Sequence, residues 1–182
     1  FTVPNSWQVK LSLNVFADAE HFHTANWDPF SGQWIATTGD GNTQVKVYTS
    51  NDDGETWQQI KQGLVYKVLN YVFTEDYVYW GPDNWGANHP KKIYRLSRDE
   101  SGFADFDSLI SLADLPQEQA TYVTVYMHHP HGLLFLDRID LITPSREYLD
   151  VPFWSFEDER LYYLAKLKPF DPGQTGLYGF RP

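Results

Sequence analysis

The chain has no cysteine and a single methionine among 182 residues. Without cysteine there is no disulfide, no thiolate nucleophile and no cysteine-ligated zinc. No run of about 18 apolar residues occurs, so no membrane-spanning helix is expected. The opening FTVPNSWQVK lacks the basic and apolar stretches of a signal peptide and starts on Phe1, which fits a processed or trimmed segment. Positive charge is scarce: 14 Lys and Arg stand against 24 Asp and Glu, a net charge of −10. Such a surface repels a phosphate backbone, so nucleic acid is not an expected partner. The acid excess serves solubility or, as the alternative, faces cations. Long helical periodicity is nearly absent.

What the chain has in quantity is aromatic residues, at 17%, with charged residues at only 21%. That bias suits pleated, half-buried surfaces. Short alternating runs bounded by turn residues read as strands. They are Trp7–Phe16, His21–Asp28, Gln33–Thr38, QVKVYTS, TWQQI, Lys67–Phe73, Tyr77–Trp80, Lys92–Ser97, Thr121–Met127 and Leu133–Leu136. Asp28 and Pro29 open a turn in which Gly32 takes positive φ. MHHPHG, with His128, His129 and His131, reads as a surface turn. Helix candidates are Ser108–Leu112 and Asp158–Leu167. The second has acids near its start and lysines near its end, but its LYYLAKL also alternates as a strand.

Three hairpins end in aspartate, at Asp40, Asp83 and Asp137. They recur at roughly the spacing of a four-stranded unit of 40 to 50 residues. The fold class expected is all-β: four-stranded antiparallel blades, a partial propeller of about three to four. The approximate boundaries are 21–63, 66–112 and 121–160. Residues 1–16 supply an outer strand of a preceding blade, FADFDSLI (103–110) the outer strand of the second, and 161–182 the start of a further one. The whole of 1–182 is taken as one propeller domain or a segment of a larger propeller. Further blades would come from a longer chain or a second copy.

The most specific signal is Ser50-Asn51-Asp52-Asp53-Gly54-Glu55-Thr56-Trp57, an S-x-D-x-G-x-T-W octad between two strands. Ser50 and Asp52 suit side-chain turns, and Gly54 a conformation that a Cβ opposes. Trp57 is expected to fill the gap between sheets. An EF-hand calcium loop is not matched in spacing or flanks. The octad resembles the Asp-box of BNR-repeat, sialidase-like β-propellers, with Ser50, Asp52, Gly54, Thr56 and Trp57 in the defining positions. The resemblance implies a structural turn on the outer side of a blade, away from the central channel, and weakly favours an extracellular or cell-surface setting. It does not carry catalysis over. Sialidases use an arginine triad, and none of Arg95, Arg98, Arg138, Arg146, Arg160 or Arg181 falls in a matching motif.

The candidate site residues are His21, His23, Asp40, Asp83, Asn84, Trp85 and Asp137. The three aspartates would crowd one mouth of the channel, raise one another's pKa and attract cations or sugar hydroxyls. His21 and His23, two apart on a strand, project to one face. With Glu20 or Asp40 they could hold a metal or act as acid and base, although satisfied structural histidines are the commoner use of such a pair. No metal or cofactor is assigned. The polar loop around Asp83, Asn84 and Trp85 suits a sugar stacked on the indole. The function expected is binding of carbohydrate or another polar ligand. The alternatives are a glycoside hydrolase-type propeller enzyme and a structural or protein-interaction propeller.

Overall fold

The computed structural model describes residues 19–81, 83, 92–114, 123–129, 131–137 and 149–167, and is confined to the backbone at 123–129, 133–137, 149–152 and 165–167. It is all-β. Among the described residues, twelve strands form three four-stranded antiparallel sheets, each a meander with neighbours in chain order. The first holds β1 (Phe22–Asp28), β2 (Gln33–Thr38), β3 (Lys46–Ser50) and β4 (Gln58–Gln62). The second holds β5 (Val72–Phe73), β6 (Tyr77–Trp80), β7 (Lys92–Ser97) and β8 (Ile110–Asp114). The third holds β9 (Val123–His129), β10 (Gly132–Asp137), β11 (Leu149–Ser155) and β12 (Arg160–Leu167). The described sheets do not close on themselves. Among the described residues no helix is long and apolar enough to cross a membrane.

The middle sheet is buried on both faces, and its alternation shows why. In β6, Val78 and Trp80 face one core with Ile35 and Val47 of the first sheet, while Tyr79 faces another with Trp154 of the third. In β7, Tyr94 and Leu96 join the first core and Ile93 the second. Each sheet buries one set of a period-two pattern against its neighbour. Trp80 is fully buried and ringed by Tyr66, Tyr71 and Tyr94, with centroids 5.6–6.1 Å away. Its indole N–H donates to the Val65 carbonyl at 2.9 Å.

Several sequence expectations shift. Lys67–Phe73 is a strand only at Val72–Phe73, because a 3-10 turn, Leu64–Tyr66, delivers Lys67 to the loop before it. FADFDSLI is largely turn: the Ser108 hydroxyl donates to the Asp105 carbonyl and accepts the Ser97 amide, delaying β8 to Ile110. Neither helix candidate is a helix. Ser108–Leu112 runs into β8, and Asp158–Leu167 is a turn followed by β12, the alternating reading. β12 pairs with β11, so Leu161 lies in the third sheet rather than in a further one. His128 and His129 end β9, and only His131 of the three lies in the turn. Trp7–Phe16 lies outside the described residues.

The Ser50–Trp57 turn is held by its own side chains. Ser50 Oγ donates to Asp52 Oδ1 and accepts the Gly54 amide. Asp52 accepts the Thr56 amide at 2.9 Å and the Thr56 hydroxyl at 2.6 Å. Gly54 has φ +83°, the left-handed region expected of it. Trp57 departs from expectation. It is half-buried and belongs to neither core, because its indole N–H folds back to the Gly54 carbonyl and its ring lines a shallow polar cleft with Gln33, Asn51 and Gln58. The other sheets place serine and aspartate at the same connection. Between β7 and β8, Asp99 follows Ser97 and accepts the Ser101 and Phe103 amides. Between β11 and β12, Ser155 accepts the Asp158 amide.

The Thr56 hydroxyl, then the Thr56 amide and Ser50, hold the Asp52 carboxyl down at about 2, against an ordinary 3.8. A depressed folded-state pKa contributes stability above the ordinary value that is lost as pH falls through the folded one. The difference in urea midpoint between the wild type and Asp52→Asn is therefore expected to shrink between about pH 4 and about pH 2. A difference flat across that window would mean that the carboxylate does not hold the turn.

Candidate ligand site at the start of β1

Five side chains from four chain segments converge at one end of the first two sheets. His21 precedes β1 and His23 lies within it. Asp40 follows Gly39 at the end of β2, Lys67 leaves the 3-10 turn, and Asp83 follows β6. Strand alternation puts both histidines on one face, and their ring centroids are 4.7 Å apart. The ladder adds to this. Phe22 pairs with Thr38 and Thr24 with Thr37, so His23 is the extra residue of a bulge, a device that re-aims a side chain. Gly39 donates its amide to the His21 carbonyl at 3.0 Å and has φ +73°. A Cβ there would lie 2.3 Å from the Gln44 carbonyl oxygen. Glycine is thus required for the bend that brings Asp40 back over the histidines.

His23 sits at the centre, with its side chain 5% exposed. Its Nε2 lies 3.0 Å from His21 Nε2 and 3.3 Å from Asp40 Oδ1. Its Nδ1 lies 3.1 Å from Asp83 Oδ2, out of line for a full hydrogen bond. Asp83 is as buried as His23, and its Oδ1 has no hydrogen-bond partner among the described residues. Lys67, also buried, reaches Asp40 Oδ1 at 2.8 Å and Asp83 Oδ2 at 3.7 Å. One ammonium thus bridges a buried carboxylate and a half-exposed one, while His21 and Asp40 keep an open side to solvent.

The aspartates were expected to raise one another's pKa. For Asp40 the reverse holds: partial burial pushes its carboxyl up, but the Lys67 hydrogen bond and charge, with His21 and His23, outweigh this and hold it below the usual range. A buried lysine between two carboxylates turns repulsion into attraction.

Of the sequence candidates, His21, His23, Asp40 and Asp83 come together. Asp137 is the last residue of β10, whereas Asp40 and Asp83 lie just beyond β2 and β6, and nothing is described of its side chain. Asn84 and Trp85 lie outside the described residues. Glu20 does not join the cluster through the histidines; it accepts from Gln44. Lys67 was missed. The available signal was a lone charge in the apolar run LVYKVLNYV, where a cation is buried only beside partners.

No known protein family, curated protein or solved structure matches the chain.

Proposed function

We propose that the chain is a propeller-type domain of the Asp-box kind that binds carbohydrate or another polar ligand at the His21–His23–Asp40–Lys67–Asp83 cluster. The observation that carries this is the cluster itself. Buried charges are costly unless paired, and a buried Lys–Asp–His network opening to solvent through His21 and Asp40 offers donors and acceptors already oriented. Three consecutive four-stranded meanders and the serine–aspartate turns between their last two strands support the architectural half of the reading. Asn84 and Trp85 follow Asp83 directly in the chain, which places an amide and an indole in the adjoining segment.

His21 and Asp40, the exposed members, would hold neighbouring hydroxyls, with buried Lys67 orienting Asp40. Screening immobilised neutral and acidic oligosaccharides is expected to find a binder whose affinity falls roughly 10- to 100-fold in Asp40→Asn and in Lys67→Met, the loss typical of a hydrogen bond to a charged group. No binder at millimolar ligand, or binding unchanged in both variants, would overturn the reading. Cleavage of the bound sugar would favour the glycoside hydrolase alternative.

A further inference from the structure

The two histidines and Asp40 are arranged as a metal-ligand face. Zinc bound by nitrogen and oxygen at about 2.0–2.1 Å in a tetrahedron sets its ligand atoms roughly 3.3 Å apart. The three separations here are 3.0 Å between the Nε2 atoms, 3.5 Å from His21 Nε2 to Asp40 Oδ2 and 3.3 Å from His23 Nε2 to Asp40 Oδ1. These three residues form the group able to hold an ion among the described residues.

The surrounding groups make an independent case. A ligating imidazole commonly turns its other nitrogen to a carboxylate, which fixes the tautomer and orients the ring. His23 comes close to this with Asp83, its Nδ1 3.1 Å from Oδ2, and both groups are buried, with His23 Nδ1 and Asp83 Oδ1 lacking a hydrogen-bond partner among the described residues. With the proton on Nδ1, the His23 Nε2 lone pair points toward His21 and Asp40. The Asp40 carboxylate meets both rings, Oδ2 toward His21 and Oδ1 toward His23, and Lys67 anchors it through Oδ1, so Oδ2 is the oxygen free of the ammonium. Gly39 and the His23 bulge pin the backbone on both sides.

We infer that His21 Nε2, His23 Nε2 and Asp40 bind one divalent transition ion of the zinc class, with Asp83 and Lys67 positioning the ligands. Two imidazoles and one carboxylate select zinc, cobalt, nickel or copper over calcium and magnesium, which prefer oxygen alone. The fourth position faces the open side. Lys67 and Asp83 cancel in charge, so the ion and Asp40 leave one net positive charge. That charge favours hydroxide or an anionic donor as the fourth ligand. This inference stands apart from the ligand reading, because the ion is detected directly in the chain without sugar.

The test is titration of the metal-stripped chain with zinc by calorimetry and with cobalt by visible absorption. One equivalent per chain and a tetrahedral cobalt spectrum are expected. His21→Ala, at a half-exposed position where folding is expected to be retained, is expected to abolish the spectrum. Asp83→Asn is expected to weaken binding roughly 10- to 100-fold, the usual cost of losing an outer-shell partner. His131→Ala, in the exposed turn before β10, is expected to leave binding unchanged. No stoichiometric uptake would overturn the inference. So would uptake that survives His21→Ala and Asp40→Asn but is lost in His131→Ala.

Discussion

Replacing Arg98 by methionine is expected to destabilise the fold by about 3–5 kcal/mol, the cost of stranding a buried partner charge. Asp28 is fully buried at the end of β1. Arg98 grips it with both terminal nitrogens, at 2.7 and 3.0 Å. The same guanidinium donates to the carbonyls of Thr74 and Gly102, tying the β1–β2 turn of the first sheet to two turns of the second. It also lies over the Phe30 ring. Removing it leaves a carboxylate in a dry site and two carbonyls without their donor. Asp28 has local duties too, accepting the Phe30 amide and the Ser31 hydroxyl. Asparagine keeps an acceptor for that turn without the charge. The double variant Asp28→Asn, Arg98→Met is therefore expected to recover a large part of the loss. Urea denaturation of all four proteins gives the coupling directly. Additive effects would mean that the pair is solvated rather than interlocked.

Trp80→Ala is expected to cost about 3–5 kcal/mol, out of a total of about 5–15 kcal/mol for a domain. The indole has no exposed surface and touches three tyrosines anchored in different segments. Those rings cannot all collapse into the space it leaves, and the Val65 carbonyl loses its donor. Trp80→Phe keeps most of the volume and is expected to lose about 1–3 kcal/mol, chiefly through that orphaned carbonyl. Calorimetric unfolding separates the two. Equal losses would mean that packing contributes little, and a negligible loss in Trp80→Ala would contradict the placement of the core. Trp57→Ala is the contrast. Trp57 rests on its own turn outside both cores, so its removal is expected to cost clearly less than that of Trp80.

What could be read from the sequence follows physical rules of unequal reach. β-rich runs bounded by turn residues, YVYW and QWIATT, are local signals, so the boundaries of β6 and β2 were legible to the residue. The spacing of two pointed to His21 and His23 as neighbours, although a bulge at His23 aims the second ring, and the turns just beyond β2 and β6 brought Asp40 and Asp83 into the site. Side-chain competition was not legible. The Ser108 hydroxyl captures a strand amide and a turn carbonyl, which moved β8 to Ile110. The acids ahead of β12 suit a helix start, but pairing with β11 decided the segment. Arg98 gave no sign of its role, because its partner lies 70 positions away. Lys67 was absorbed into an apparent strand, although a solitary cation among apolar residues is itself a sign of buried partners. Trp57 shows the opposite error: a large aromatic was assigned to a core that its own turn satisfies.

The most direct probe of the site is the long-range 1H–15N imidazole spectrum of the chain at neutral pH with chelator present, with His23 assigned from the His23→Gln variant. Its Nδ1 faces buried Asp83, and its Nε2 faces His21 and Asp40. His23 is therefore expected to carry a proton on Nδ1 and to change pattern in Asp83→Asn. An Nε2–H ring, or one averaging freely between tautomers and indifferent to Asp83, would show that the residues do not meet and would contradict the site as built here.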